Sequence, residues 1–146
     1  MATIKTPVTA PVTMRTTRVL FKLAGALDYV DHSDAIDEIT YTPSQSGGST
    51  FVAVNGATIQ DPGQETWAAT LNLVQDRDPD GFLRWLLANS GTKAELRAKF
   101  ASDDTDEGVL TVTLSSAGIG GKASAIATSS VTFAADGKPA FSAPIV

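Results

Sequence analysis

The fold is decided by residues 67–91, which read WAATLNLVQDRDPDGFLRWLLANSG. Apolar and polar side chains alternate with period two at the start of this stretch, which is typical of a half-buried strand. An acidic turn follows, after which Asp78 suits the N-cap of a helix and Pro79 its first position. Gly91 suits the residue just past the end of that helix. We therefore predict a strand, a turn and a helix in that order.

The predicted helix, residues 79–89, has one apolar side. Phe82, Trp85 and Leu86 form a stripe along it, while charged and small side chains occupy the opposite side. Burying a Phe or Leu side chain is worth roughly 1.5–3 kcal/mol, so this stripe is expected to pack on a sheet. Together with Trp67 of the preceding strand, these three residues are the predicted structural core.

Alternating segments of the same kind recur along the chain. They predict a mainly β protein, a β-sandwich or partly closed barrel with one flanking α-helix and extended terminal arms. The strands are predicted at residues 19–23, 36–41, 66–74, 94–100, 109–115, 122–128 and 130–134, with a weaker one at 50–54.

Both ends and one internal segment depart from this pattern. Residues 1–16 are rich in Thr, Val and Pro, which predicts an extended N-terminal arm, and residues 139–146 form a second candidate arm. Residues 42–65 hold several Gly and Pro and are predicted to be a long loop, a feature that is uncommon inside compact domains and often functional. The β-sandwich is thus expected to occupy residues 17–138 as a single domain.

Composition excludes several classes of function. The chain has 146 residues and a net charge of −5, which makes general binding to nucleic acid unfavourable because phosphate contacts need clustered Lys and Arg. It has no Cys, so disulfides and thiolate chemistry are excluded. No signal peptide or membrane span is recognisable, and we expect a soluble protein made in the cytoplasm.

An acidic motif resembles the first half of a calcium-binding loop. Asp76, Asp78 and Asp80 have the spacing of its first ligands, and a Gly follows. The twelfth position should carry a bidentate Glu, but Leu87 stands there. Because carboxylates also favour the start of a helix, capping is the better interpretation, and no metal site is predicted.

Three other segments have a superficial likeness to active sites. His32 is flanked by Asp and Ser, but neighbours in one loop cannot form a catalytic triad, so we expect a solvated histidine. The acidic run at residues 103–107 is interpreted as a solvated loop, with a cation site or a lining that faces DNA as the alternative. Residues 118–122 lack the pattern of a phosphate loop and are expected to be a flexible turn. We therefore predict neither enzymatic activity nor a cofactor.

Two segments carry a resemblance to a known family. One is the strand–DPDG–helix–NSGTK–strand unit that ends near Phe100, and the other is the strand followed by DGKP at residues 129–139. Both resemble the major tail protein, or tail tube protein, of long-tailed, siphovirus-like bacteriophages. The resemblance implies a β-sandwich with one helix that forms hexameric rings stacked into a hollow tube. Its implied location is the virion, and its implied partners are further copies of itself, the tape measure protein and other tail proteins. Double-stranded DNA would pass through the lumen without specific binding, and the subunit itself would not bind membranes.

The resemblance also implies roles for particular segments. The long loop, residues 42–65, would make the contacts between successive rings. The two arms would bridge subunits or rings. Asp37, Glu38 and Thr40 lie on a strand that could face the lumen, and they are the candidates for lining it. The candidates for contacts between rings are Ser46, Gly47, Gly48, Asn55, Gln60 and Asp61.

Other functions are compatible with the same pattern. The tube of a contractile tail or injection machine would share the fold, and a tail completion or connector protein is a further alternative. A small β-sandwich that binds carbohydrate or protein would instead be a monomer with an exposed aromatic platform. Trp67 and Trp85 both occupy patterned positions that predict burial, which disfavours such a platform.

Overall fold

The computed structural model describes residue 8, residues 18–101 and residues 105–144. The predicted N-terminal arm therefore lies outside the described residues, except for residue 8. Within this part of the chain, no helix is long and apolar enough to span a membrane. The elements are β1 (Arg18–Leu23), β2 (Val30–Asp31), a 3₁₀ turn (Ser33–Ala35), β3 (Ile36–Gln45), β4 (Thr50–Val52), β5 (Thr58–Gln60), β6 (Glu65–Val74), α1 (Phe82–Ala88), β7 (Lys93–Lys99), β8 (Glu107–Thr113), β9 (Thr128–Ala135) and β10 (Ala140–Ser142).

The main sheet is antiparallel and folds over on itself. Its strand order is β2-β1-β7-β8-β9-β6-β3, and β10 pairs with the first half of β8. Inward side chains of β1, β7 and β8 meet those of β3, β6 and β9, as shown by the edge-to-face contact of Phe21 with Phe133 at 6.2 Å. The predicted mainly β fold with one flanking helix is thus confirmed.

The helix closes the core as expected, although it is shorter than predicted. Phe82 and Leu86 are fully buried, whereas Trp85 and Trp67 are half-buried and pack against the core. The helix begins at Phe82, with Gly81 as its N-cap, instead of at residue 79. Asp76 and Asp78 accept hydrogen bonds from backbone N–H groups two residues further on, and these local turns delay the helix.

Three other segments differ from the prediction. Residues 122–128 were predicted as a strand, but they form a turn and loop up to the first residue of β9. The long segment 42–65 is partly regular, because β3 continues to Gln45 and β4 pairs with β5 as a separate hairpin. Residues 140–142, in the predicted C-terminal arm, form β10 against β8, since a strand needs a partner for its backbone groups.

Candidate assembly surfaces

The outward face of β3, β6 and β9 carries short, uncharged side chains in register. Thr40 lies beside Thr70, which lies beside Thr132, and the hydroxyl oxygens of the last two are 3.2 Å apart. These three strands contain no Lys or Arg, and their acidic residues are Asp37, Glu38 and Glu65. We call this surface the neutral face. It offers no cation to a phosphate.

The lumen-lining candidates all lie on or beside the neutral face. Thr40 is on it, and Glu38 accepts a hydrogen bond of 2.8 Å from the side-chain amide of Asn72. Asp37 lies where the pairing of β3 with β6 shifts register, which is a bulge that re-aims side chains. All three candidates are exposed. The structure therefore brings them together on one surface.

Two of the three strands on the other side of the sandwich, β1 and β7, are basic. β1 and β7 carry five Lys or Arg residues and a single acidic one, Glu95. Glu95 accepts hydrogen bonds from Tyr29 (2.9 Å) and Arg97 (2.7 Å). Burial raises the pKa of Glu95, but these two donors lower it by more, so that the pKa lies below its ordinary value. Charge is thus segregated between the two sides of the fold.

The β4–β5 hairpin, residues 46–64, projects from the sheet with apolar side chains on its surface. Phe51 and Ile59 are cross-strand neighbours, and they are 63% and 65% exposed. Val52 and Val54 are also largely exposed. Sequence reasoning did not select these four residues, although four of the five residues in TFVAV (50–54) are apolar, which was a signal for apolar side chains on both faces of the hairpin. An exposed apolar cluster of this kind marks an interaction surface.

The predicted inter-ring candidates give the hairpin its shape. Asn55 accepts a backbone hydrogen bond at the tip, and Gln60 lies on β5. At the base, the Ser46 hydroxyl donates a hydrogen bond to the Gln64 carbonyl and accepts one from the Gln64 N–H. The Asp61 carboxylate accepts a hydrogen bond from the N–H of Gly63. These polar residues therefore hold the hairpin in place.

At the base of the hairpin its two chain segments touch, which only glycine permits. A Cβ on Gly48 would lie 1.4 Å from the carbonyl oxygen of Asp61, and one on Gly63 would lie 2.0 Å from that of Ser46. Gly63 also has a φ of +77°, which side chains disfavour. Gly47, by contrast, has open space around it.

The calcium-loop likeness has a structural explanation. The Asp76 and Asp78 carboxylates each accept a backbone N–H bond of 3.0 Å within the turn, while Asp80 is exposed. Among the described residues, no group of three or more acidic or His side chains is arranged to hold a metal ion. The motif is thus part of the turn that leads into α1. The expected capping role is wrong, because Gly81 is the N-cap and no side chain caps the helix.

His32 is not the solvated histidine expected from its loop. Its side chain is buried, and its ring stacks on Phe82 with centroids 4.6 Å apart and contacts Trp85 at 4.8 Å. Burial lowers the pKa of His32 to about 4, and nearby Asp31 opposes this only partly. The ring is therefore neutral at pH 7. Its aromatic neighbours come from β1 and α1, far away in sequence, so the local pattern could not reveal them.

The acidic run at residues 103–107 is also not wholly a solvated loop. Its last member, Glu107, begins β8, is fully buried and forms an ion pair with Arg18. Burial and the Glu107 carboxylate raise the pKa of Tyr41, whose hydroxyl donates to the Gly108 carbonyl. Residues 103 and 104 lie outside the described part of the chain. The alternative of a DNA-facing lining is therefore wrong for Glu107.

Residues 118–127, which we call the Gln75 loop, are held by one side chain. Gln75 donates to the Gly120 carbonyl and to the Ser129 hydroxyl, both at 2.7 Å, and accepts from the Gly120 N–H at 2.9 Å. Its own backbone N–H bonds the carbonyl of Ala127. The expected flexible turn at residues 118–122 is thus anchored by a residue that sequence reasoning passed over.

One long edge of the sheet is open. Among the described residues, β3 pairs with β6 on one side only, over almost its whole length. Exposed edges of this length invite pairing with another chain unless they are covered or blunted. Pro43 lies within β3, where it lacks an N–H to donate, but the rest of the strand can pair.

No protein-family model matches this sequence, and neither does any curated protein. Among solved structures, the fold is similar to a chain in the tail of an empty gene transfer agent (GTA) particle, computed by helical refinement with C6 symmetry. The TM-score is 0.56 at 14% sequence identity, and the match covers 86% of this chain and 95% of that chain. At this identity the similarity establishes the fold.

Proposed function

We propose that this protein is a structural subunit of a phage-like tail, of the long-tailed, siphovirus-like kind. Copies would form hexameric rings that stack into a hollow tube through which DNA is delivered to the host. The observation that carries this proposal is the similarity of fold, over most of both chains, to a component of a C6-symmetric tail. The role is structural, without catalysis, and the protein would reside in the virion.

The open edge of β3 supports assembly into a ring. If the edge of β3 paired with a strand of the neighbouring copy, the sheet of one copy would continue into the next and this long edge would be covered. Six-fold closure of such a contact would join the sheets into one barrel around a lumen.

The segregation of charge supports one orientation of the subunit in the tube. With the neutral face turned inward, the wall would present Thr, Ser and Asn hydroxyls and amides together with Asp37 and Glu38. DNA phosphates would find no cation there, so double-stranded DNA and the tape measure protein could move along the lumen without being held. The basic strands β1 and β7 would then lie away from the DNA.

The exposed hairpin supports contacts between successive rings. Phe51, Val52, Val54 and Ile59 would lose their exposure to water on stacking, which provides a driving force for growth of the tube. The two terminal arms would add further ties between subunits, as would other tail proteins at the ends of the tube.

Electron microscopy of the purified protein tests the proposal directly. We expect hollow tubes of stacked rings with six-fold symmetry at high protein concentration. Particles that remain monomeric at every concentration and ionic strength would count against a tube subunit. A screen of carbohydrate and protein ligands would then test the alternative of a binding module.

A further inference from the structure

Two exposed apolar elements lie at opposite ends of the neutral face. β3 ends and β6 begins at the hairpin, whereas the far end of β6 lies beside the start of β9, as the pairing of Val74 with Thr128 shows. The Gln75 loop belongs to that far end, because Gln75 directly follows β6. Ten residues of β6 separate the two elements by about 30 Å, at ~3.3 Å per residue.

The Gln75 loop carries two apolar side chains on a backbone that is held near both of its ends. Ile119 is 70% exposed and Ile126 is 81% exposed. The backbone next to Ile119 is held by Gln75, whose side-chain amide donates to the Gly120 carbonyl and accepts from the Gly120 N–H. The hydroxyl of Ser129 in turn donates to the Gly118 carbonyl. A loop whose backbone is held in this way can receive a partner with little loss of conformational entropy.

Charge favours contact between the two elements. The hairpin has one charged residue, Asp61, and the Gln75 loop has one charged residue of the opposite sign, Lys122. The acidic turn at residues 76–80 lies near the same end, but the hairpin has no cation to meet it. The apolar loop is therefore the better match for the apolar hairpin.

On the basis of the tail function proposed above, we infer that the β4–β5 hairpin of one copy docks on the Gln75 loop of a second copy in the next ring. Phe51, Val54 and Ile59 contact Ile119 and Ile126 across this junction. The contact is heterologous, because different surfaces of the two copies meet. Contacts of this kind repeat without closing and generate an open filament.

Cross-linking between single-cysteine variants tests the junction, because the natural chain has no cysteine. One variant carries Val54→Cys at the hairpin and a cleavable affinity tag, and an untagged one carries Ile126→Cys on the loop. The matched control is Leu27→Cys, since Leu27 is 93% exposed but lies in neither element. Mixtures are oxidised, and mixed disulfide dimers are quantified by mass.

The expected result is a mixed dimer of the Val54→Cys and Ile126→Cys copies that clearly exceeds the dimer formed with Leu27→Cys. Equal yields with both partners, or dimers of Val54→Cys with itself alone, would overturn the inference. Tubes without the mixed dimer would overturn the junction and leave the tail function standing. The mixed dimer without tubes would support the junction and count against the tail function, and the absence of both would overturn both.

A second pair of variants tests the junction without cysteine. Ile119 and Ile126 lie outside the core, so Ile119→Asp with Ile126→Asp is expected to leave the fold intact and to abolish tubes. Phe51→Asp with Ile59→Asp should do the same through the hairpin. The loop variant still has a natural hairpin, and the hairpin variant still has a natural Gln75 loop. Mixing the two proteins should therefore form one junction between them and yield mixed dimers, which neither protein forms alone. Normal tubes from the loop variant would contradict the inference.

Discussion

The ring of His32 stacks on that of Phe82 at a centroid distance of 4.6 Å, which ties the loop after β2 to the only helix among the described residues. Phe21 and Trp85 complete the surroundings, and the Nε2 atom of His32 is buried without a hydrogen-bond partner there. A charged imidazolium in this position would lose its hydration and gain little in return. The docking of α1 therefore depends on a neutral ring.

This dependence predicts a loss of stability in mild acid. The pKa of His32 is about 4 in the folded protein and 6.5 when unfolded, so the unfolded state binds more protons between these values. The stability that the neutral His32 ring provides is fully present above about pH 6.5 and is lost as the pH falls to about 4. The loss in the free energy of unfolding is at most about 3 kcal/mol. Urea unfolding from pH 7 to pH 4 would measure it.

The control for this prediction is His32→Phe, which keeps an aromatic ring and removes the titration. Its free energy of unfolding should fall less over the same range, because only carboxylates then contribute. Parallel curves for the two proteins would show that His32 has no part in the acid response.

Trp85 should be important for stability even though it is half-buried. Its ring contacts Phe21 at 5.4 Å and His32 at 4.8 Å, so Trp85→Ala opens a gap beneath the helix. We expect a loss of about 3 kcal/mol in the free energy of unfolding, or misassembly. Leu87→Ala on the same helix is the control, because Leu87 is 44% exposed and should cost far less. Similar losses for both variants would contradict this account.

A single methyl group should disrupt the hairpin at one glycine and leave it intact at the next. Gly48→Ala places a Cβ against the Asp61 carbonyl, whereas Gly47→Ala meets open space. Amide hydrogen exchange at residues 50–60 should accelerate in the first variant alone, and tubes should be lost with it. Equal protection from amide exchange in the two variants would show that the close contact of Gly48 with Asp61 does not set the shape of the hairpin.

Reversing the charge of Asp37 and Glu38 should change how tubes interact with DNA without preventing their formation. Asp37→Lys with Glu38→Lys would place cations on the neutral face, where they would hold phosphate and impede DNA ejection. Binding of double-stranded DNA to purified tubes should appear and weaken with salt. A matched pair is Thr40→Lys on the neutral face and Thr111→Lys, exposed on β8 of the other half of the sheet, since each adds one positive charge. DNA binding that is the same in both variants would argue against an inward neutral face.

The strands and the helix could be predicted where one segment carries its own periodicity. β6, β7 and α1 have alternating or helical apolar patterns, and the structure has them within a few residues of the predicted bounds. The fold class followed from these patterns, because apolar faces of this kind must be buried against one another.

The remaining features depend on partners distant in sequence. The aromatic surroundings of His32 come from β1 and α1, and the Gln75 loop takes its hydrogen bonds from a side chain more than forty residues earlier. Residues 122–128 alternate weakly among Ala and Ser, which suited a strand, but the carbonyl groups of Ala127 and Thr128 accept hydrogen bonds from Gln75 instead. No local pattern indicates such contacts.

Short side chains give the neutral face a contour that barely changes. Thr, Ser, Ala and Asn reach only slightly beyond the Cβ, so rotamer changes displace little of the surface, and Glu38 is restrained by Asn72. The shape of this face is consequently set by the backbone ladder. A conduit walled by it would keep a constant bore while its cargo moves, whereas Lys or Arg side chains would make the bore fluctuate with every change of rotamer.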